Sequence, residues 1–190
     1  MEAIDALTRR VSGSDLVEPA PDALDLHSML AAAVRAPDHG RLRPWRFTVL
    51  RGDARKRLGA LLAHAYRRRH PEATPEQLEK ETHRPLRAPL VVVVGAKLDH
   101  ACKIPAIEQI LAAGAAAQNI MVAAFALGYG CAWKTGEAAY DTEIKAAFGL
   151  EPADAIVGFL YLGTNAKPPS PAIPVDVAEH VAEWPEDGRA

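Results

Sequence analysis

The 190-residue sequence predicts an α+β domain in which helices dominate. Three observations carry that expectation. Leu90-Val91-Val92-Val93-Val94 is apolar at every position, and a strand without a polar face must be covered on both sides. The stretch from Pro105 to Leu127 is apolar almost all round, which marks a helix buried within the fold or between subunits. Finally, 37 of the residues are alanine, which lowers the aromatic share to 6% and favours close helix packing.

Glu2 to Arg9 reads as a short first helix and Asp22 to Arg35 as a second, with Leu26, Met29, Leu30, Ala33 and Val34 at helical spacing. Pro37 stops the second helix. Trp45-Arg46-Phe47-Thr48-Val49-Leu50 is aromatic and β-branched with partial alternation and predicts a strand, followed by Gly52-Asp53 as strand end and helix N-cap. Leu58, Leu61, Leu62, Ala65 and Tyr66 give the next helix its buried stripe. Arg55, Lys56, Arg57, Arg67, Arg68 and Arg69 occupy its other faces and end as solvated charges. Thr74-Pro75-Glu76-Gln77 has the form of a capping box with proline at the first helical position, so another short helix runs toward Arg84.

Pro89 to Ala96 is then a central strand, and the Pro105 to Leu127 helix follows, with Gly114 among alanines where another backbone can come near. Gly128-Tyr129-Gly130 ends that helix and Cys131 to Lys134 forms a short strand. Asp141 to Phe148 is a helix stopped by Gly149, and Ala155 to Leu162 is a second apolar strand. From Asn165 onward Pro168, Pro169, Pro171, Pro174 and Pro185 exclude helix and central strand, so this tail runs extended over a surface.

A formal charge of −2 argues against nucleic acid or an anionic membrane as the main partner. No basic segment followed by an apolar one opens the chain, and the expectation is a soluble cytoplasmic protein. Cys102 and Cys131 are the only cysteines and lack zinc or redox spacing, so they read as reduced thiols. Gly128-x-Gly130 follows a helix instead of linking a strand to one, which excludes a dinucleotide-binding fingerprint. There is no nucleophile elbow, P-loop or H-E-x-x-H, and His100 with Cys102 is at most a two-ligand fragment, so no metal is expected. What remains is cationic and hydroxyl groups in loops: Arg9-Arg10-Val11-Ser12, Arg35 through Arg43, and Trp133-Lys134-Thr135-Gly136. Such groups suit a phosphate and a polar heterocycle. Read bottom-up, Arg35 could equally complement its helix dipole, His39 could be a solvated turn residue and Trp133 could be core.

In its order of motifs the chain resembles the nitroreductase family of FMN-dependent oxidoreductases, above all the small bacterial NAD(P)H nitroreductases. Arg10-Val11-Ser12 after the first helix looks like the family's R-R-S phosphate segment. Glu18-Pro19-Ala20-Pro21 precedes the second helix as in that branch. Arg35-Ala36-Pro37-Asp38-His39 with Pro44-Trp45-Arg46-Phe47 is similar to the R-A-P-S-S…Q-P-W-x-F loop and strand. Pro105-Ala106-Ile107-Glu108-Gln109, the turn Gly128 to Gly136, and Ile156 to Gly163 complete the likeness. Asp38-His39 stands where much of the family has two serines, and Arg41 and Arg43 stand where it commonly has Asn and Gln.

The resemblance implies an α+β fold with a mixed central β-sheet surrounded by helices, one domain over residues 1–190 and a 164–190 tail packing on a partner subunit. It implies FMN held by Arg10, Val11, Ser12, Arg35, His39, Trp133, Lys134 and Thr135, in a homodimer that leaves open which subunit supplies Arg35 and His39. Counting back from Pro19 favours Arg10 over Arg9 for the phosphate. The implied chemistry is electron transfer from NAD(P)H to a nitroaromatic, quinone or similar acceptor by a ping-pong mechanism, which needs no side-chain nucleophile and therefore names no catalytic residue. The segment His64 to His83 is the expected cover of the substrate face. Two alternatives accompany this reading: other reductive chemistry on the same fold, such as dehalogenation, and a non-catalytic binding module using the basic Arg51 to Arg69 helix.

Overall fold

The computed structural model describes residues 1–184 of the chain, so Pro185 of the tail lies outside the described residues. Along these run α1 (Ala3–Arg9), β1 (Leu16–Val17), α2 (Ala23–Ala33), β2 (Trp45–Arg51), α3 (Asp53–Arg69), α4 (Pro75–His83), β3 (Leu90–Ala96), α5 (Ala106–Ala126), β4 (Gly130–Lys134), α6 (Thr142–Ala147) and β5 (Ala155–Asn165). Helix starts follow side-chain chemistry. Asp22 accepts from the Leu24 and Asp25 N–H groups, Thr74 and Gln77 form a reciprocal capping box, and Asp141 accepts from Glu143 and Ile144. Asp53 is instead the first residue of α3 and bonds Lys56, while Gly52 takes the cap position with φ 50°.

β5 is the spine of the sheet. It pairs β3 over Ala155–Leu162, β4 over Phe159–Gly163 and β1 over Thr164–Asn165, and β3 pairs β2 from Trp45↔Ala96 to Arg51↔Leu90. Every one of these pairings is antiparallel, which corrects the expected mixed sheet. The reason is the connections: α3 with α4, and α5 again, return the chain between non-neighbouring or reversed strands, and composition carries no strand direction.

The alternation of side chains along β3 builds two cores. Val91 and Val93 face α3 and α6 with Leu58, Leu62, Ile144 and Tyr161, while Leu90, Val92 and Val94 face α2 and α5 with Met29, Ala117, Ile120 and Met121. Each fully buried aliphatic side chain contributes roughly 1.5–3 kcal/mol. α5 is long and apolar enough to cross a membrane by length and composition, but here its buried side lies against this sheet and α2. Among the described residues nothing comes within 4 Å of where a Cβ at Gly114 would be.

β1 and the extension of β5 to Asn165 were not expected from sequence; a two-residue strand has no pattern to read. From Ala166 to Trp184 the tail holds one 3₁₀ turn, at Val177–His180, and no strand, and residues 170–184 are exposed.

Two contacts fasten α3. Gly59 lets α4 approach until the Thr82 carbonyl sits where a Cβ would be. Gly59→Ala is therefore expected to destabilise by about 1–3 kcal/mol through overpacking, read as a lowered denaturation midpoint. At the other end, Arg68 and Arg69 reach the Asp141 carboxylate, Arg68 also reaches Glu143, and Arg69 and His70 reach Glu137. Asp141 is only 3% exposed in its side chain. Burial alone would raise its carboxyl; the Arg68 hydrogen bond, the Ile144 N–H and the neighbouring guanidinium charges outweigh burial and hold it below the usual carboxylate range.

Candidate functional site

A main-chain bond assembles the first cluster. The Gly13 N–H donates to the Cys131 carbonyl at 3.0 Å, which ties the loop after α1 to β4, and Gly13 and Ser14 share a cavity with Lys134. Arg10, in the same loop, is half-buried, and its Nε and Nη1 are buried without any hydrogen-bond partner. Burial pushes the neighbouring Cys131 thiol up to about 12, with the Arg10 charge pulling the other way, so this thiol stays protonated and unreactive.

A cavity of about 350 Å³ opens at this edge, lined by Gly13, Ser14, Leu16, Arg84, Arg87, Ala132, Lys134 and Tyr161. A narrow neighbouring pocket shares Arg84, Lys134 and Tyr161 and adds Thr135. Burial raises the Tyr161 hydroxyl, against the opposing charges of Arg84 and Arg87, so it stays protonated at neutral pH. Three cations and a hydroxyl donor around one cavity make a site for an anionic, polar ligand.

The second cluster sits elsewhere. Val34, Arg35, Ala36, Asp38, Arg41, Arg43 and Trp45 line a cavity of about 270 Å³ between the end of α2 and the start of β2. In the same loop His39 Nδ1 donates to Glu108 Oε2 at 2.6 Å, Gly40 packs on Ile104, and Asp38 accepts from the Arg43 N–H at 2.7 Å. These contacts hold the loop to the start of α5. β2 and β4 are opposite edges with β3 and β5 between them, three strand spacings or roughly 14 Å apart. A single copy thus places Lys134 and Thr135 about one cavity, with the Arg10 loop tied to the same edge strand, but leaves Arg35 and His39 on the far edge. A third cavity, about 220 Å³ between β2, α3 and α6, is lined mainly by apolar residues such as Leu50, Leu58, Leu61 and Phe148 and holds none of the expected site residues.

The description "Nitroreductase family" fits residues 10–164 as a family model, about four fifths of the chain. The chain belongs to the nitroreductase family. YdjA of Escherichia coli strain K12, provisionally named an NAD(P)H nitroreductase, is 39% identical over 164 residues, which cover 86% of this chain and 88% of YdjA. A protein of Haemophilus influenzae under the same provisional name is 36% identical over 166 residues, 87% of this chain and 89% of its own. Among solved structures, a nitroreductase-like family protein from Bacillus cereus superposes with a TM-score of 0.82 at 26% identity, covering 96% of each chain. A Desulfovibrio desulfuricans protein, provisionally named a nitroreductase and crystallised in complex with FMN, shares the fold at a TM-score of 0.74 and 24% identity, covering 97% of this chain and 98% of its own.

Within this family member the expected residues divide. Lys134 and Thr135 line this pair of cavities, and Ser14, not Ser12, lines the larger one; Arg10 lines neither but lies near Cys131 on β4, with Val11 half-buried and Ser12 exposed after it. The Trp133 indole is turned into the α5-side core, donating to the Val157 carbonyl at 3.1 Å and packing over Gly158, so only its backbone can serve the site. Arg84, Arg87 and Tyr161 were missed by sequence reading. The arginines carry no motif, and Tyr161 lies in the Ile156 to Gly163 strand, which was read only as part of the likeness; the 3₁₀ turn at Arg84–Arg87 that places the arginines follows α4, at the end of the segment expected to cover the substrate face. The basic charges of α3 are mostly used internally: Arg55 donates to the Ala88 carbonyl, Arg51 just before it to Pro21, and Arg68 and Arg69 to carboxylates. Arg57 and Arg67, both exposed, make no such bond among the described residues.

Proposed function

We propose that this nitroreductase is an FMN-dependent oxidoreductase that takes electrons from NAD(P)H and passes them to a nitroaromatic, a quinone or a similar small acceptor in two alternating half-reactions. Arg10 carries the reading. A buried guanidinium with two unpartnered nitrogens is unfavourable unless an anion meets it, and the phosphate of FMN is such an anion. Lys134, Arg84 and Arg87 give the adjoining cavity the positive potential that suits the rest of a phosphorylated, polar-edged ligand, and the backbone from Trp133 to Thr135 lies along it. Bound FMN supplies the redox chemistry itself. The chain's residues bind and orient it, and none is needed as a nucleophile.

Arg35 and His39 complete the site in this reading from a second copy. His39 gives its Nδ1–H to Glu108 and is left with a free Nε2 to present across the interface. Apolar side chains stand uncovered where such an interface would form: Ile4 and Leu7 on α1, Ile107 and Leu111 on α5, which α1 packs against, and Ile173, Val175, Val177, Val181 and Trp184 in the tail. Gly114 leaves room for close approach. A homodimer buries these faces, with the tail lying on the partner, and a cytoplasmic setting goes with the reading.

Acid release of the bound chromophore followed by chromatography tests the cofactor: FMN, one per chain, is expected, and no flavin after reconstitution with excess FMN would contradict it. Light scattering should give twice the 20.4 kDa chain mass. Leu111→Glu, placing a charge on the apolar α5 face, is expected to yield monomers that have lost FMN; a monomer retaining flavin at full affinity would overturn the two-copy site. Turnover with nitroaromatics, quinones and halogenated aromatics then sorts the acceptor.

A further inference from the structure

We propose that Glu108 is a positioning residue of the flavin site that acts through His39: its carboxylate fixes His39 in the Nδ1–H tautomer, so that across the subunit interface the ring's Nε2 meets FMN as a hydrogen-bond acceptor. The proposal rests on the flavin reading above, and it gives a role to the Pro105 to Gln109 motif, which that reading leaves unused.

His39 Nδ1 and Glu108 Oε2 are 2.6 Å apart. Glu108 stands in the first turn of α5, where the unpaired N–H groups and the helix dipole favour an ionised carboxylate. An ionised carboxylate only accepts, so the hydrogen of this bond belongs to Nδ1, and the neutral ring keeps Nε2 as an acceptor. The His39 side chain nevertheless stays 65% exposed, and its Nε2 takes no partner among the described residues. Two other histidines face glutamates, His64 on Glu143 and His70 on Glu137, but each of those carboxylates also takes an arginine of α3 and belongs to the ion-pair cluster at its end. Glu108 has His39 as its sole side-chain partner among the described residues.

The next residue of α5 fastens the same loop by another route. Gln109 is 2% exposed; its side chain accepts from the Asp99 N–H at 2.8 Å and donates to the Asp99 and Ile104 carbonyls at 3.0 and 3.1 Å. Ile104, so held, lies where a Cβ on Gly40 would be, and Gly40 takes φ 71°, a conformation open to glycine. With Asp38 bound to the Arg43 N–H, three successive residues are each fixed by a separate contact, and two of the contacts lead to adjacent residues of α5. Support of this kind holds a ligand-contacting ring in one orientation and one tautomer. Oxidised FMN offers an Nε2 acceptor its ring N3–H and its ribityl hydroxyls; an Nε2–H tautomer would address the acceptor atoms of the ring edge instead.

Ring nitrogen–proton correlation spectra of the full-length protein, recorded at about pH 8.5 where an ordinary imidazole is neutral, read the tautomer, with His39→Ala identifying the signals by their loss. Wild type should show Nδ1 protonated and Nε2 bare, and Glu108→Ala a mixture of tautomers. Wild-type His39 carrying its proton on Nε2 would overturn the proposal. The FMN Kd is the second readout, and its sign separates positioning from charge. Removing a negative charge near a site for a dianion would by itself tighten binding, whereas losing the position of His39 weakens it. Glu108→Ala is expected to raise Kd about threefold or more, and Glu108→Gln, which keeps an acceptor oxygen, to stay within about twofold of wild type. In a His39→Ala background Glu108→Ala should add no weakening. An unchanged or tighter Kd for Glu108→Ala, or the same weakening with and without His39, would refute the positioning role. If the protein takes up no FMN, the flavin reading itself fails, while the ring spectra still decide whether Glu108 fixes the tautomer.

Discussion

Replacing Arg10 by alanine is expected to weaken FMN binding roughly ten- to hundredfold while leaving the flavin-free protein as stable as before, or more so. A charge-assisted hydrogen bond contributes about 1.5–3 kcal/mol, and about 1.4 kcal/mol is a decade in Kd. The stability half of the expectation comes from the structure. Sequence alone places Arg10 on a loop surface, but its Nε and Nη1 are buried and unpartnered, so truncation removes an uncompensated buried charge. Arg9 is exposed and serves as the control; Arg9→Ala should change neither quantity. Fluorescence titration with FMN and thermal melts without it read the two halves. Equal Kd values for Arg10→Ala and wild type would remove Arg10 from the site.

Asp141→Ala is expected to produce the largest loss of stability, about 3 kcal/mol. The change leaves Arg68 and Arg69 without their buried partner and strips α6 of its N-cap. For a chain of this size that corresponds to a Tm lower by roughly 6–12 °C. Asp141→Asn keeps the cap but not the charge, and should recover about 1 kcal/mol of the loss. The pH dependence has a definite sign. Because the folded-state carboxyl lies below its unfolded value, the unfolded chain binds the proton more readily. The contribution is complete above the unfolded value of about 3.9 and is lost as pH falls through the folded one. Acid melts of wild type and Asp141→Asn should therefore converge as pH falls through the folded-state value, below the unfolded one. Parallel curves would show that the carboxylate charge adds nothing.

The parts of the fold that were legible in sequence are those with a local physical signature. β3 announces itself because each of its valines had to be buried on one face or the other, and α5 because small apolar residues fill almost its whole circumference. The capping box at Thr74 is written in side chains and formed as expected. What was not legible depends on chain return. The antiparallel sense of the sheet, the two-residue β1, and the arrival of Arg84 and Arg87 at a cavity whose other walls come from residues 13–16, 132–134 and 161 have no signature in any one window. For the site, the family motifs pointed to the loop after α1, the α2–β2 loop and the end of β4. The separation of those segments onto two edges of one sheet, with the Trp133 ring turned inward, appears only in three dimensions.

From that separation follows the central proposal, that one copy supplies Arg10 and Lys134 and the other Arg35 and His39 to each FMN. Subunit mixing measures it directly. Arg10→Ala chains and Arg35→Ala/His39→Ala chains, carrying different affinity tags, are co-expressed, and the mixed dimer is isolated by both tags. Each parent homodimer has two damaged sites. In the mixed dimer one site collects all the substitutions and the other collects none. FMN titration should accordingly give one tight site per mixed dimer, with the wild-type Kd, although both parents bind weakly. A mixed dimer with no tight site would place all the contacts within a single chain and contradict the account.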